Sequence, residues 1–160
     1  MTASTFGSTM SLDEYLSAHK VWHRFIPKPE TIHTADAARV SGIELRRITK
    51  NLVFKVDDKE YALLIVPGDR KVDPGKAAKA LAAKKIALVP FEKSEEISGY
   101  PPGGTPSIGH RTQMKVVLDR SLLEFETIYC GGGRRDRLLE LRVQDVAKLT
   151  HAVIADISTT

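Results

Sequence analysis

Lys50 is the charged residue whose sequence position first suggests chemistry. It lies in the apolar run ITKNLVF, between Ile48 and Leu52. Alternate side chains of a β-strand share one face, so Lys50 shares its face with two aliphatic side chains. An ammonium group on such a half-buried face reaches into a cleft, where it can bind a phosphate or carboxylate or orient a hydroxyl. The alternative is a lysine on an edge strand or a solvent-facing position.

A glycine- and proline-rich stretch, SGYPPGGTPSIGH from Ser98 to His110, offers complementary chemistry. Gly103 and Gly104 have no Cβ, so their N–H groups can approach a ligand closely and their φ can be positive. Amides aimed at one point form an oxyanion hole, which contributes about 3–4 kcal/mol to an acyl-transfer transition state. The alternative is a turn bracketed by prolines. The stretch separates a predicted helix from a predicted strand of one domain, which argues against a flexible linker.

Other candidate motifs give weaker signals. His19 and His23 are four residues apart, but Lys20 occupies the place of the acidic residue in a zinc-protease helix. Ser107 lies in TPSIG and not in a G-x-S-x-G elbow. Cys130 ends an apolar run, a position typical of inert packing. CGGGRRD lacks the G-K-[ST] of an ATP-binding loop. These motifs therefore support neither a metal pair nor ATP chemistry.

Length and composition limit the class of protein. With 160 residues, 42% hydrophobic and 28% charged, the chain suits one globular domain. Its net charge of +4 fits attraction to RNA as well as it fits a plain basic surface. A single cysteine, no apolar run of about 20 residues and no secretory signal predict a cytoplasmic protein that is not embedded in a membrane.

Hydrophobic periodicity predicts the helices that surround these residues. Ser11 is a suitable N-cap for a helix in SLDEYLSAHKVW, and Asp73 for one in DPGKAAKALAAKK. Thr34 as N-cap and Gly42 as the residue after the last turn bracket a helix in ADAARVSG. Two further helices are predicted in FEKSEEIS and VQDVAKLT.

Apolar, β-branched runs predict the strands. ITKNLVFKV and EYALLIVPG, with the turn-forming DDK between them, predict a hairpin deep in the fold. IALVP is predicted to be a buried strand, and HRFIP, KVVLD, TIYCG, LLELRV and AVIAD to be further strands or extended segments. Because helices and hairpins mix along the chain, a mixed α/β domain is favoured over a doubly wound parallel sheet. We expect one domain over residues 11–158, after a disordered N-terminus of residues 1–10.

Four segments follow one another in an order and spacing that resemble the YbaK/ProX family, the free-standing relatives of the prolyl-tRNA synthetase editing domain. They are RRITKNLVFKVDDKEYALLIVPGDRKVD, SGYPPGGTPSIGH, VVLDRSLLEFETIYCGGGRR and LRVQDVAKLTHAVIADI. The resemblance extends from about Leu12 to Ile157. It implies a curved mixed β-sheet, partly barrel-like, with flanking helices. It also implies hydrolysis of the ester that joins a wrong amino acid to tRNA, usually tRNA(Pro), without metal or organic cofactor.

The resemblance assigns expected roles to individual residues. Lys50 matches the essential lysine of the family and would contact the terminal adenosine or its phosphate. Gly103 and Gly104 match the pair whose amides would stabilise the carbonyl oxygen as it becomes negative. Asp119 matches an aspartate with a structural role. The residues expected to bind or shape the substrate are Thr34, Pro106, Gly109, His110, Cys130, Gly131 and Gly132, where His110 either lines the pocket or caps the loop.

One departure from the family bears on specificity. In the cysteinyl-tRNA(Pro) deacylase branch, the turn after the TIY strand resembles V-S-G-G, whereas this sequence has CGGG. Gly131 thus stands at the serine position, and Cys130 replaces an aliphatic residue. A hydroxyl that could contact a cysteine side chain is missing. The expected substrate is therefore tRNA(Pro) that carries a small wrong amino acid such as alanine or cysteine.

Three functions are compatible with these features. The first is a deacylase that edits mischarged tRNA in trans, the second a non-catalytic module that binds aminoacyl-tRNA or a synthetase, and the third an esterase for small molecules. The expected partners are the acceptor end of mischarged tRNA and prolyl-tRNA synthetase, with no DNA and no membrane, for a monomer or homodimer. The candidate phosphate contacts are Arg46, Arg47, Lys84, Lys85, Arg134, Arg135 and Arg137.

Overall fold

A computed structural model describes residues 10–159 of the chain. Of the expected disordered segment 1–10, residues 1–9 lie outside the described residues. The helices are α1 (Leu12–Ala18), α2 (Thr34–Ser41), α3 (Pro74–Ala80), α4 (Phe91–Ser98) and α5 (Val143–Thr150). The strands are β1 (His23–Pro27), β2 (Thr49–Val56), β3 (Glu60–Pro67), β4 (Ile86–Leu88), β5 (Lys115–Asp119), β6 (Thr127–Gly131), β7 (Arg137–Arg142) and β8 (Val153–Ala155).

The strands form two sheets. The larger has the order β4-β2-β3-β5-β8, and the smaller has the order β1-β7-β6. β3, β5 and β8 are mutually parallel, whereas the other neighbouring pairs are antiparallel. The predicted mixed α/β class is therefore confirmed, with the strands divided between two sheets.

The two sheets meet where β2 begins. Ile48 forms a parallel bridge with Tyr129 of β6, and the Thr49 hydroxyl donates a hydrogen bond to the Tyr129 carbonyl at 3.0 Å. Both Ile48 and Thr49 are buried. Beyond this bridge the end of β6 and the first half of β2 do not pair with each other, which leaves room for a cavity between the two sheets.

The β2–β3 hairpin forms the centre of the structure, as predicted. Asp57 and Asp58 make its turn with positive φ, a conformation that aspartate tolerates better than most residues. Residues 62–66 of β3 are fully buried, so the strand has apolar neighbours on both faces. Leu63 packs in the core beneath α1, whereas Leu64 packs against α3.

Local capping signals predicted several helix ends. Ser11 forms a capping box with Glu14, and the Asp73 carboxylate accepts a hydrogen bond from the Lys76 N–H. Gly42 ends α2 with φ of +77°. The prediction that Thr34 is the N-cap of α2 is wrong, because His33 holds that position and Thr34 is the first helical residue. The Thr34 hydroxyl instead contacts the Gly68 carbonyl at 3.4 Å.

The prediction of a buried strand in IALVP is also wrong. The strand β4 pairs with β2 along one side only and forms an edge of the larger sheet. Leu88 is 54% exposed, whereas the following Val89 is buried. Within residues 10–159, no helix combines the length and the apolar character needed to cross a bilayer.

Asp119 at the end of β5 joins the C-terminal segment to the sheet. One carboxylate oxygen accepts the Ile157 N–H at 2.9 Å, and the other accepts the Ser158 hydroxyl at 3.1 Å and the Ser121 hydroxyl. The residue is fully buried and does not line the cavity described below. A buried carboxylate with this many donors has a structural role.

Asp119→Ala should lower the free energy of unfolding by about 3 kcal/mol, because it leaves the buried Ile157 N–H without an acceptor. Urea denaturation measures this change. The control is Asp156→Ala, which removes an exposed carboxylate paired with Lys76 and should leave the urea midpoint nearly unchanged, because water screens the pair. Equal losses in the two variants would contradict the structural role of Asp119.

Candidate active site

A cavity of about 320 Å³, here called the β2 cavity, lies beside the first half of β2. The strand β4 pairs with residues 54–56 of β2, and the Val89 N–H donates to the Val53 carbonyl, so residues 49–52 have an open edge on that side. The cavity is also lined by the start of α2, by residues between Leu88 and Ser94, and by the Gly/Pro loop. Two larger cavities, of about 760 and 820 Å³, contain neither Lys50 nor Gly103.

Lys50 is half-buried and lines the β2 cavity. Its Nζ donates a hydrogen bond to the Arg70 carbonyl at 2.8 Å, which leaves two N–H groups for a ligand. Burial lowers the pKa of Lys50, the charge of Lys71 lowers it further, and Asp69 opposes both effects. The site thus holds a cation that is poorly solvated and therefore strongly attracted to an anion.

Gly103 lies at a position that only glycine can occupy. The Gly104 N–H donates to the Pro101 carbonyl at 2.8 Å, which closes a four-residue turn. Pro102 and Gly103 are the central residues, and the φ of +86° at Gly103 is what a type II turn requires there. A Cβ on Gly103 would also lie 2.7 Å from the Ile32 Cα. The two alternatives for the Gly/Pro stretch, a turn bracketed by prolines and a loop that presents amides, are therefore compatible with each other.

The turn determines which amides are available. The Gly104 N–H is used to close the turn, and Gly104 does not line the cavity. Gly103 and Thr105 do line it, and their N–H groups donate to no acceptor within residues 10–159. The predicted pair, Gly103 and Gly104, thus differs in hydrogen bonding: the Gly104 N–H has a partner within the protein, whereas the Gly103 N–H has none among residues 10–159.

Gly131 lines the cavity opposite this turn and packs directly on the Gly104–Thr105 peptide. Its N–H donates to the Thr105 carbonyl at 3.2 Å. A Cβ on Gly131 would lie 2.6 Å from the Thr105 nitrogen, closer than real Cβ contacts. Gly132 lies just outside the cavity, where a Cβ would meet the Arg137 side chain at 2.6 Å. The serine of the resembling branch could not fit at position 131 unless the turn moved.

Four other residues that the sequence places near the substrate do not line the β2 cavity: Pro106, Gly109, His110 and Cys130. His110 Nε2 donates to the Pro106 carbonyl at 2.7 Å, and burial lowers its pKa to about 4, so the imidazole is neutral. Burial raises the pKa of Cys130 to about 11, so it remains a thiol. His110 thus holds the Gly/Pro loop through the Pro106 carbonyl and lies outside the β2 cavity.

Asn51, Thr49 and His33 are among the polar residues that line the cavity and that sequence reasoning passed over. The Asn51 amide accepts from the Ser107 hydroxyl at 2.6 Å and donates to the Thr49 hydroxyl at 2.9 Å. These bonds link β2 to the Gly/Pro loop. Asn51 was missed because neighbouring residues point to opposite faces of a strand, but at an open edge a cavity can reach both faces.

A buried lysine anchors the turn from outside. Lys28 Nζ donates to the Thr31 hydroxyl at 2.7 Å and to the Arg135 carbonyl. The Arg135 guanidinium in turn donates to the Pro102 carbonyl at 2.8 Å. Burial lowers the pKa of Lys28, whereas Asp136 and Glu30 oppose this effect. Arg135, a candidate phosphate contact in the sequence, thus acts in this structure as a support for the turn.

The arrangement suits the polarisation of a carbonyl group. Gly103 and Thr105, whose N–H groups have no acceptor within residues 10–159, line the same cavity as the desolvated Lys50 ammonium group. Amide donors stabilise an oxygen that becomes negative during acyl transfer, and the ammonium group can bind an anion of the substrate. Ser107 is buried and bonded to Asn51, so it is not presented as a nucleophile.

Comparison with known proteins relates this chain to aminoacyl-tRNA editing domains. The model of the aminoacyl-tRNA editing domain matches residues 28–149. EbsC of Enterococcus faecalis, a proposed Cys-tRNA(Pro)/Cys-tRNA(Cys) deacylase, is 28% identical over 144 residues, which cover 88% of each chain. The uncharacterised protein YwhH of Bacillus subtilis is 30% identical over 118 residues, or 74% of each chain. The proline–tRNA ligase of Cupriavidus necator is 30% identical over 111 residues, but only 19% of that enzyme is covered.

Solved structures extend the likeness to three dimensions. The crystal structure of hypothetical protein APE2540 has a TM-score of 0.86 and 28% identity, with 92% of this chain and 99% of that chain covered. A proposed trans-editing enzyme for prolyl tRNA synthetase has a TM-score of 0.77 and 28% identity, with 86% and 87% covered.

Gly131→Ala should lower the free energy of unfolding by about 1–3 kcal/mol, because the added Cβ pushes the Gly104–Thr105 peptide away. Any activity of the β2 cavity should fall by more than about tenfold, since oxyanion donors act only when correctly placed. The control is Gly75→Ala in α3, where the Cβ has ordinary contacts and stability should change by less than about 0.5 kcal/mol. An active and fully stable Gly131→Ala protein would contradict the close packing.

Proposed function

Because the chain belongs to the aminoacyl-tRNA editing domain family and is an aminoacyl-tRNA deacylase, we propose that its substrate is tRNA(Pro) carrying a small wrong amino acid such as alanine or cysteine. The proposal includes action in trans, on tRNA that prolyl-tRNA synthetase has mischarged. We choose this site because Lys50 and Gly103 line one cavity, and the Gly103 N–H has no acceptor within residues 10–159.

The proposed reaction needs no side-chain nucleophile. An aminoacyl ester is already activated, and the ribose carries a vicinal hydroxyl that can assist the attacking water. The water oxygen adds to the carbonyl carbon, and the ester C–O bond then breaks. The ribose oxygen leaves with one proton of the water, the other proton passes to solvent, and the amino acid is released as a carboxylate. In this proposal the Gly103 and Thr105 amides stabilise the negative carbonyl oxygen, and Lys50 holds the terminal nucleotide.

The whole cavity has a volume of only about 320 Å³, which supports a small amino acid. Ile48, Leu138 and Ala37 form apolar walls, and Gly131 presents no side chain. Without a hydroxyl at position 131, the pocket has no polar group there for a cysteine thiol. A pocket of this kind separates amino acids by size, and one methylene changes the rate by about 10- to 200-fold.

Lys50→Met should lower kcat/KM on a mischarged tRNA by about 100-fold or more, because the cavity loses its cation. Stability should be kept, since methionine retains the apolar stem and removes a desolvated charge. Because burial lowers the pKa of Lys50 below 10.5, the wild-type rate should fall towards alkaline pH as the charge is lost, and Lys50→Met should lack this fall.

The control for this experiment is Lys55→Met, which removes a lysine from the same strand but outside the cavity. It should retain nearly full activity. Unchanged turnover in a folded Lys50→Met protein would contradict the role of Lys50.

Hydrolysis should be measured on tRNA(Pro) charged with alanine, cysteine and serine, with alanyl-tRNA(Ala) as the control. We expect release from tRNA(Pro) to be faster, and to weaken as salt rises because phosphate contacts release counterions. Equal rates on all four substrates would overturn the choice of tRNA(Pro).

Retention of tRNA without release of amino acid would favour a binding module, and salt-independent cleavage of simple esters would favour a small-molecule esterase.

A further inference from the structure

Three large apolar side chains at the β2 cavity are exposed to solvent. Ile32 is 43% exposed, Leu88 is 54% exposed and Phe91 is 46% exposed. They belong to different segments, namely the loop before α2, the end of β4 and the start of α4, and all three line the same cavity as Lys50. Single exposed apolar residues are ordinary, but a group at the mouth of a catalytic cavity indicates a contact with a ligand.

The β2 cavity has two chemically different ends. Leu88 is paired with Phe54, and the Val89 N–H donates to the Val53 carbonyl, so the apolar end lies beside Val53. Lys50 is three residues earlier on the same strand, or about 10 Å away at the rise of a β-strand. Lys50 lines this end and no carboxylate among residues 10–159 lines the cavity, so this end is cationic, although Asp69 as well as Lys71 acts on Lys50.

The helix that carries Phe91 disfavours phosphate. Three exposed carboxylates follow Phe91 on α4, at Glu92, Glu95 and Glu96, against one exposed lysine, Lys93, so the helix carries a net negative charge. They would repel a phosphodiester, whereas a nucleobase is uncharged and has apolar faces. The charge distribution thus favours phosphate at the Lys50 end and a base at the Phe91 end.

The chemistry of the substrate matches this arrangement. The ester oxygen and the terminal base of a tRNA are attached to the same ribose. When the ester carbonyl reaches the Gly103 amide inside the cavity, the base must therefore remain close to the mouth. An aromatic ring at the mouth offers it a stacking surface, which every nucleobase can use.

We propose that Phe91, flanked by Leu88, forms the stacking site for the terminal base of the tRNA, with the terminal phosphate directed towards Lys50 and Lys71. This inference rests on the proposed function, because it requires an aminoacyl-tRNA substrate. It assigns to the start of α4 a part in substrate binding and not in the chemical step.

The test compares Phe91→Ala with the wild type on a mischarged tRNA. KM should rise about 10- to 100-fold with a smaller change in kcat, since stacking holds substrate and transition state alike. Phe91→Trp should restore the wild-type KM because it keeps an aromatic face. The matched control is Leu123→Ala, which removes an equally exposed apolar side chain outside the cavity and should leave KM unchanged.

A second substrate makes the test specific for the base. With a mischarged tRNA whose terminal nucleotide is abasic, the wild type should lose as much affinity as Phe91→Ala loses on the intact tRNA. Combining the abasic substrate with Phe91→Ala should cause no further loss, because both changes remove the same contact. Fully additive losses would overturn the stacking site.

The outcomes separate this inference from the proposed function. If the wild type releases no amino acid from any mischarged tRNA, the proposed function fails. If the wild type is active and Phe91→Ala leaves KM unchanged, the stacking site alone fails. The stacking site also fails if Phe91→Ala weakens binding to prolyl-tRNA synthetase while KM for tRNA is unchanged, since the apolar group would then bind protein.

Discussion

The close packing of two backbone segments determines the geometry of this site. The Gly104–Thr105 peptide lies against Gly131 at a distance that leaves no room for a Cβ, and Gly103 packs equally tightly on Ile32. These contacts hold a type II turn at the gap between the two sheets. With the turn in this position, the Gly103 and Thr105 amides line the cavity opposite β2. Oxyanion stabilisation depends on such preorganised donors more than on any reactive side chain.

The surrounding network keeps the turn in place from two sides. On one side, Lys28 holds the Arg135 backbone and the Arg135 side chain holds the Pro102 carbonyl. On the other, Ser107 bonds to Asn51 and so ties the loop to the strand that carries Lys50. The buried cation Lys28 therefore organises the protein, whereas Lys50, with two N–H groups free, is available to a ligand. Burial lowers the pKa of both lysines, and their hydrogen-bond partners distinguish their roles.

A site of this kind explains why its sequence contains no recognisable catalytic triad. Its substrate brings an activated ester and a neighbouring hydroxyl. The protein therefore needs to position the ester, stabilise the oxyanion and exclude substrates that do not fit. The division of the cavity into a cationic end, an amide-lined centre and an apolar mouth follows the order of groups in the terminal nucleotide. Under the proposed function, the same division offers a route to specificity, because the size of the cavity would limit the amino acid while its mouth would bind a group that all tRNAs share.

The sequence alone determined the features that depend on near neighbours. Capping residues such as Ser11 and Asp73, the β2–β3 hairpin and the half-buried face of Lys50 follow from local conformational preference and from strand alternation. Tertiary structure decided the features that depend on which segments meet. It made β4 an edge strand, placed Asn51 in the cavity and left His110 outside it. It also committed the Gly104 amide to a turn and required glycine at position 131, because backbone contacts between residues far apart in sequence leave no local signal.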